Sequence, residues 1–158
     1  MPAWLYVNAS NFSFVGDPWA FPRGFSEYEQ IGRPLKDPSC RAMARYAARY
    51  VSWYTRGGMT DECGVWHESG LHYKWPILSV LNEDETQTPP EGGVEYTICF
   101  DAWQDEIRKI NSEIVLMGPE ATDGASWQGG DVLNYTLYFL NASHHADGVA
   151  PALVSNHQ

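Results

Sequence analysis

The sequence predicts an α/β fold in which parallel strands alternate with helices that pack back against them, and three observations carry this expectation. Apolar runs at 76–81 (PILSVL), 114–117 (IVLM) and 151–154 (PALV) lack the apolar–polar alternation of a half-exposed strand and suit strands buried on both faces. Stretches with helical spacing of apolar residues lie between them. The runs start at 76, 114 and 151, thirty-eight and thirty-seven residues apart, which is the rhythm of repeated βα units. At 158 residues the chain is read as a single domain, long enough to bury a core.

Each element follows from local chemistry. Residues 2–7 (PAWLYV) form a first short apolar strand, ended by the polar Asn8-Ala9-Ser10-Asn11. An irregular excursion from about 12 to 36 is punctuated by Gly16, Pro18, Pro22, Gly24, Gly32 and Pro34. Asp37-Pro38 then supplies an N-cap followed by proline at the first helical position, opening a helix to about Thr55 with Met43, Tyr46, Ala47, Tyr50 and Tyr54 at helical spacing and Gly57-Gly58 beyond its end. A polar insert over 59–75 precedes the second strand, near 76–82. A helix over about 94–110 places Tyr96, Phe100, Trp103, Ile107 and Ile110 on one face, and the third strand follows near 114–118. A helix over about 131–141, with Leu133, Leu137 and Leu140 inward, leads to the fourth strand near 151–155.

Composition narrows the function classes. Twenty acidic against ten basic residues give a formal net charge of −10, which disfavours nucleic acid and anionic membranes as partners. Arg41, Arg45 and Arg49 recur at spacing four and read as a solvated helix face rather than a binding patch. No apolar run approaches the roughly 20 residues of a membrane span. Aromatic residues make up 14% of the chain, with 7 Trp and 9 Tyr; most belong to a core, and some suit a groove where flat rings stack on sugar faces. Met1-Pro2-Ala3-Trp4 lacks the basic start and cleavage site of a signal peptide, yet N-x-[ST] sequons at Asn8, Asn11, Asn134 and Asn141 favour a secretory history.

Three cysteines show no metal-ligand spacing. Cys40 and Cys63 are read as a candidate disulfide, and Cys99, among apolar helix positions, as a buried thiol. His67 and His72 read as isolated surface histidines, and His144-His145 as residues favoured by a helix dipole. No Ser-His-Asp arrangement, phosphate-binding glycine loop or zinc spacing stands out, so neither a cofactor nor a metal is expected.

Each strand ends in polar residues: Asn8, then Asn82-Glu83, then Glu120, then Asn156-His157. In parallel α/β folds ligands bind at the carboxyl ends of strands, which would bring these side chains to one cleft. The run Trp75-Pro76-Ile77-Leu78-Ser79-Val80-Leu81-Asn82-Glu83 carries the most specific signal. A buried strand ending in Asn-Glu resembles the fourth strand of the clan of retaining glycoside hydrolases built on (β/α)8 barrels. Pro2-Ala3-Trp4 resembles the third strand of its family 39-like members, relatives of β-xylosidase and iduronidase. Gly118-Pro119-Glu120 resembles the end of their fifth strand and Ser155-Asn156-His157 the end of the sixth. The resemblance thus spans strands three to six of a barrel, and the fold it implies is a partial (β/α)8 (TIM) barrel with outer helices. A small doubly wound parallel α/β sheet is the alternative.

By the same resemblance Glu83 is the general acid/base and Asn82 the partner of the sugar 2-hydroxyl, while Glu120, His157, Asn8 and Trp4 bind a carbohydrate substrate. Retaining hydrolysis needs two carboxyl groups about 5–5.5 Å apart, one protonating the leaving oxygen and one attacking the anomeric carbon. The clan's nucleophile ends strand seven. Asp84-Glu85 also stands where many relatives have proline. The expectation is therefore a portion of a larger catalytic domain, or a chain completed by another copy or a partner, secreted and inactive in hydrolysis by itself. A non-catalytic carbohydrate-binding barrel portion is the competing reading.

Overall fold

Alternation of apolar strands with amphipathic helices produces a three-stranded parallel sheet with helices against one face; the expected burial of the strands on both faces is not seen among the described residues, where Ile77 and Val115 are exposed. The computed structural model describes residues 37–81, 93–121 and 132–156. In chain order these form α1 (Arg41–Thr55), β1 (Gly58–Thr60), β2 (Trp66–Glu68), β3 (Ile77–Ser79), α2 (Gly93–Ile110), β4 (Val115–Ala121), α3 (Val132–Phe139), a 3-10 turn (Ala142–His144) and β5 (Leu153–Asn156). The sheet order is β3-β4-β5, with both pairings parallel: Ile77 opposite Val115, Leu78 opposite Leu116, Ser79 opposite Met117, and Met117 opposite Leu153. The expected α/β class with a parallel sheet is what the chain adopts. Among the described residues the sheet is open rather than a closed barrel. The first expected strand, 2–7, and the 12–36 excursion lie outside the described residues.

The expected helices are present with shifted ends. α2 begins one residue early, and α3 stops at Phe139, after which Asn141 caps the 3-10 turn by accepting the Ser143 amide (3.1 Å). α1 begins at Arg41 rather than directly after Asp37. Asp37 still caps it from upstream: its Oδ1 accepts the Ser39 amide (3.0 Å) and its Oδ2 the Ala42 amide (2.9 Å). Cys40, between them, adopts the left-handed conformation with φ 55°. The Ser39 hydroxyl and then the Ala42 amide hold the Asp37 carboxyl below the usual aspartate range.

The core forms where α1 and α2 meet one face of the sheet. Ala44, Ala47, Ala48 and Val51 of α1 are small enough for α2 to approach closely. Tyr96, Phe100, Trp103 and Ile107 of α2, Tyr135 and Phe139 of α3, and Val80, Ile114 and Leu116 from the strands complete the cluster. Cys40 is disulfide-bonded to Cys99 inside it, both cysteines being nearly inaccessible. This corrects the expected Cys40–Cys63 pairing and the free Cys99 thiol. Cys63 is exposed and free at the tip of a hairpin, whereas Cys99 lies on the very face of α2 that packs on the start of α1.

The insert before β3 is more ordered than its polarity suggested. β1 and β2 pair antiparallel, Met59 opposite His67. Asp61 Oδ1 closes their turn by accepting the Cys63 and Val65 amides, both at 2.9 Å. His67 is not isolated: its Nε2 lies 2.8 Å from Asp61 Oδ2. That contact, with the Val65 amide next, holds the Asp61 carboxyl below its usual range. Buried Met59 packs with Tyr46 and Trp53 of α1, and the Ser52 hydroxyl donates to the Gly58 carbonyl (2.7 Å). His72 also has a structural place, for a Cβ on Gly57 (φ 81°) would lie 2.6 Å from its ring. Two of the three arginines at spacing four on α1 are paired. Exposed Arg41 reaches Asp105 of α2 (3.4 Å), and Arg49 pairs with Glu62 of the hairpin.

Two outcomes are expected. Replacing Cys40 and Cys99 together by Ala should lower unfolding free energy in denaturant melts by about 4 kcal/mol, the loop entropy of a cross-link 59 residues apart, while Cys63→Ser should change it by less than about 0.5 kcal/mol. Asp37→Ala should cost about 1 kcal/mol at neutral pH. Because the folded Asp37 carboxyl titrates below its unfolded value, this contribution is present above about pH 4 and is lost as pH falls through the lower folded value. Acid titration of stability should therefore be shallower in the variant than in the wild type.

Candidate functional site at the carboxyl edge of the sheet

Parallel strands bring their carboxyl ends to one edge, and the described part of that edge comprises the ends of β3, β4 and β5. Alternation along the strands sorts their side chains. Leu78 and Leu116 face the helices, while Ile77, Val115, Ser79, Met117 and Leu153 share the opposite face, on which Ile77 and Val115 are 48% and 40% exposed.

A register shift changes this alternation just before the site. Met117 lies opposite Leu153, but the next pair along the two strands is Glu120 opposite Ser155, so β4 spends three residues where β5 spends two. The extra residue is a bulge at Gly118-Pro119, a cis peptide. Simple counting from Leu116 would turn Glu120 toward the helices. The bulge instead leaves Gly118 and fully buried Pro119 on the helix side and turns Glu120 onto the open face, beside Ser155. Glu120 is half-buried and has no hydrogen-bond or ion-pair partner among the described residues. On the same face the hydroxyls of Ser79 and Ser155 are buried without a hydrogen-bond partner among the described residues. A carboxylate and two unpaired hydroxyls thus share the open face toward its carboxyl edge, a set suited to hydroxyl-bearing ligands.

One side chain fixes how β3 and β4 end. Tyr96 of α2 is buried, and its hydroxyl donates to the Val80 carbonyl at 2.8 Å, while the Val80 amide donates to the Met117 carbonyl at 3.0 Å. The Tyr96 hydroxyl reaches that carbonyl only because residue 118 is glycine: a Cβ there would lie 1.9 Å from the Tyr96 oxygen. After Val80 the chain turns through Leu81 in the left-handed region (φ 60°), a conformation that costs a non-glycine residue roughly 1–2 kcal/mol. The anchored Val80 carbonyl holds the backbone at the start of that turn.

Of the residues expected in the site, Glu120 is brought to the open face at the carboxyl edge. Asn82, Glu83, His157, Asn8 and Trp4 lie outside the described residues. Ser79, Ser155 and Tyr96 escaped the sequence reading. Ser79 lies within an apolar run and Ser155 directly follows one, and Tyr96 has the signature of a core residue; only the Gly118 beside Glu120 hinted at a close approach. Among the described residues no group of three or more His, Cys, Asp or Glu side chains is disposed to hold a metal ion. No family model, curated protein or solved structure matches the chain.

The Tyr96–Gly118 contact makes a specific prediction. Tyr96→Phe should cost about 1–3 kcal/mol by leaving the buried Val80 carbonyl unpaired. Gly118→Ala should also destabilise, through the clash with the hydroxyl. The double variant should be less destabilised than the sum, because removing the oxygen leaves ring carbon Cζ, at 3.1 Å, as the nearest atom of residue 96 to the new Cβ. Denaturant midpoints of the four proteins measure the coupling; strict additivity would show that the two residues do not share this space.

Proposed function

We propose that this chain is a portion of the catalytic domain of a retaining glycoside hydrolase of the (β/α)8 type, secreted and acting on carbohydrate. The observation that carries the reading is the side on which Glu120 stands. In such a barrel helices cover the outside, and the active site collects side chains at the carboxyl ends of the strands. Glu120, Ser79 and Ser155 lie on the face away from the helices, toward that end. Val80, anchored by Tyr96, directly precedes the turn into Asn82-Glu83.

In this reading Glu83 protonates the leaving oxygen and then removes a proton from the attacking water, and Asn82 holds the sugar 2-hydroxyl. Glu120, His157, Asn8 and Trp4 bind the sugar. The nucleophilic carboxylate comes, by the resemblance, from a seventh strand supplied by further βα units or by another chain. The free edges of β3 and β5 among the described strands and the exposed Ile77 and Val115 are surfaces that such units would cover. A disulfide in the core is compatible with a secreted setting, and Asn134 and Asn141, both exposed, are accessible sequons. No described helix is long and apolar enough to cross a membrane.

The test is hydrolysis of aryl β-glycosides by the barrel completed with its remaining units. Glu83→Gln should lower kcat about 10²–10⁴-fold and remove the alkaline limb of the pH–rate profile, which reports the acid. Undiminished turnover in that variant would end the assignment. A second reading is favoured by Glu120 being the one carboxylate at the carboxyl edge of the parallel sheet among the described residues. It makes the cleft a carbohydrate-binding site without hydrolysis. Calorimetric sugar binding by a completed barrel that turns nothing over would support it.

A further inference from the structure

Asn141 opens the second of the two N-x-[ST] sequons among the described residues, Asn141-Ala142-Ser143, just beyond the end of α3. Its backbone is extended, with φ −83° and ψ 110°, and its side chain folds back over the next two residues. Oδ1 accepts the Ser143 amide at 3.1 Å and the Ser143 hydroxyl at 2.9 Å. A backbone amide can only donate, so the atom that meets it is the carboxamide oxygen, and Nδ2 is directed away from the turn. Asn141 and Ser143 are both exposed, and Nδ2 has no hydrogen-bond partner among the described residues.

The neighbouring chain holds this segment outward. His145, expected at a helix end, is instead buried, with Nδ1 2.6 Å from Asp101 Oδ1 and Nε2 2.6 Å from the Phe139 carbonyl. Asp101 Oδ2 accepts the Ala146 amide at 2.6 Å. The chain is thus pinned at Phe139 before the sequon and at His145-Ala146 after it. Leu137 and Leu140, expected inward, are 55% and 38% exposed beside it. Tyr135 and Phe139 place α3 in the layer of helices, on the other side of the sheet from the open face that carries Glu120.

Asn134 has a different setting. Its sequon lies within α3, where helical geometry directs the Thr136 amide to the carbonyl of residue 132 rather than to the Asn134 side chain. Tyr135, between the two sequon residues, is buried in the core.

We infer that Asn141 is an N-glycosylation acceptor that takes an oligosaccharide from a polyprenyl-diphosphate donor. The inference rests on the secreted setting proposed above. In the transfer Nδ2 forms a bond to C1 of the reducing-end sugar, and the C1–O bond to the diphosphate breaks. That electron pair leaves with the diphosphate, and the displaced Nδ2 proton passes to a base of the transferase. Both bonds of the turn lie within residues 141–143, so it needs no tertiary contact and is open to the transferase on a chain still folding. In the folded protein the glycan stands on the helix layer beside Leu137 and Leu140 and leaves the open face of the sheet clear.

The test is production of the full chain behind a heterologous secretory leader in a eukaryotic host, with each sequon read by mass spectrometry. Enzymatic release of glycans in heavy-oxygen water marks each occupied asparagine as labelled aspartate. Chymotryptic cleavage after Tyr138 or Phe139 then separates Asn141 from Asn134. Asn141 should be labelled in most chains, and more fully than Asn134. Ser143→Ala should lower its labelling about tenfold or more, and Ser143→Thr, which keeps the hydroxyl, should not lower it. Asn141→Asp keeps both acceptor contacts of the turn but lacks the nitrogen, so it should fold like the wild type and lose one glycan in mass. Unlabelled Asn141, fuller labelling of Asn134, or labelling of Asn141 unaffected by Ser143→Ala would overturn the inference. Chains retained inside the host count equally, because transfer precedes export. Since the leader supplies the compartment, that failure leaves the secreted reading standing, and the hydrolase reading is judged separately by Glu83→Gln.

Discussion

The hydroxyl of Tyr96 crosses from α2 over the bare backbone of Gly118 to the carbonyl of Val80, and the end of β3 beside β4 depends on that crossing. A buried carbonyl that left its ladder at the end of β3 would otherwise be unpaired. Meeting this need draws α2 onto β4 so closely that residue 118 has no room for a side chain. The same helix is bonded to α1 through Cys99 and to the loop before β5 through Asp101. α2 is therefore the element against which α1, the end of β3 and the loop before β5 are set. Its buried face carries Tyr96, Phe100, Trp103 and Ile107, each from a successive turn.

Close approach at Gly118 is continuous with the bulge that follows. A β-strand that kept its alternation would turn Glu120 into the helix layer, where a carboxylate without a partner is costly. One additional residue in β4 turns it onto the open face, next to Ser155 and on the side of Met117 and Leu153. The result is a sheet with two unlike faces. One is filled by aromatic and aliphatic side chains from three helices. The other carries Ile77 and Val115, with Ser79, Ser155 and Glu120 toward its carboxyl end.

Much of the frame was legible in the residues. The 3.6-residue spacing of Tyr96, Phe100, Trp103 and Ile107 located α2 within one residue at its start, and the apolar runs located β3 and β4, although helices cover only one face of these strands among the described residues. The β1–β2 hairpin was not legible: its strands are three residues each, and only Met59 carries a buried apolar signal. Disulfide pairing was misread because proximity in sequence says little about which helix faces meet. Of the candidate site, Glu120 was found from its position at a strand end, while Ser79 is a small residue inside an apolar run and Ser155 a small residue directly after one, with no pattern to give either a role.

By itself the sequence determined the α/β class and the order of the parallel strands and the helices among the described residues, since these rest on periodicity and on local capping. Which cysteines join, which face Glu120 occupies, and that His145 is a buried bridge rather than a helix-end charge were decided only by tertiary structure. Each depends on contacts between residues far apart in the chain: Cys40 with Cys99, Glu120 with Ser155, and Asp101 with His145. Packing in three dimensions selects among such pairings, and no local pattern encodes the choice.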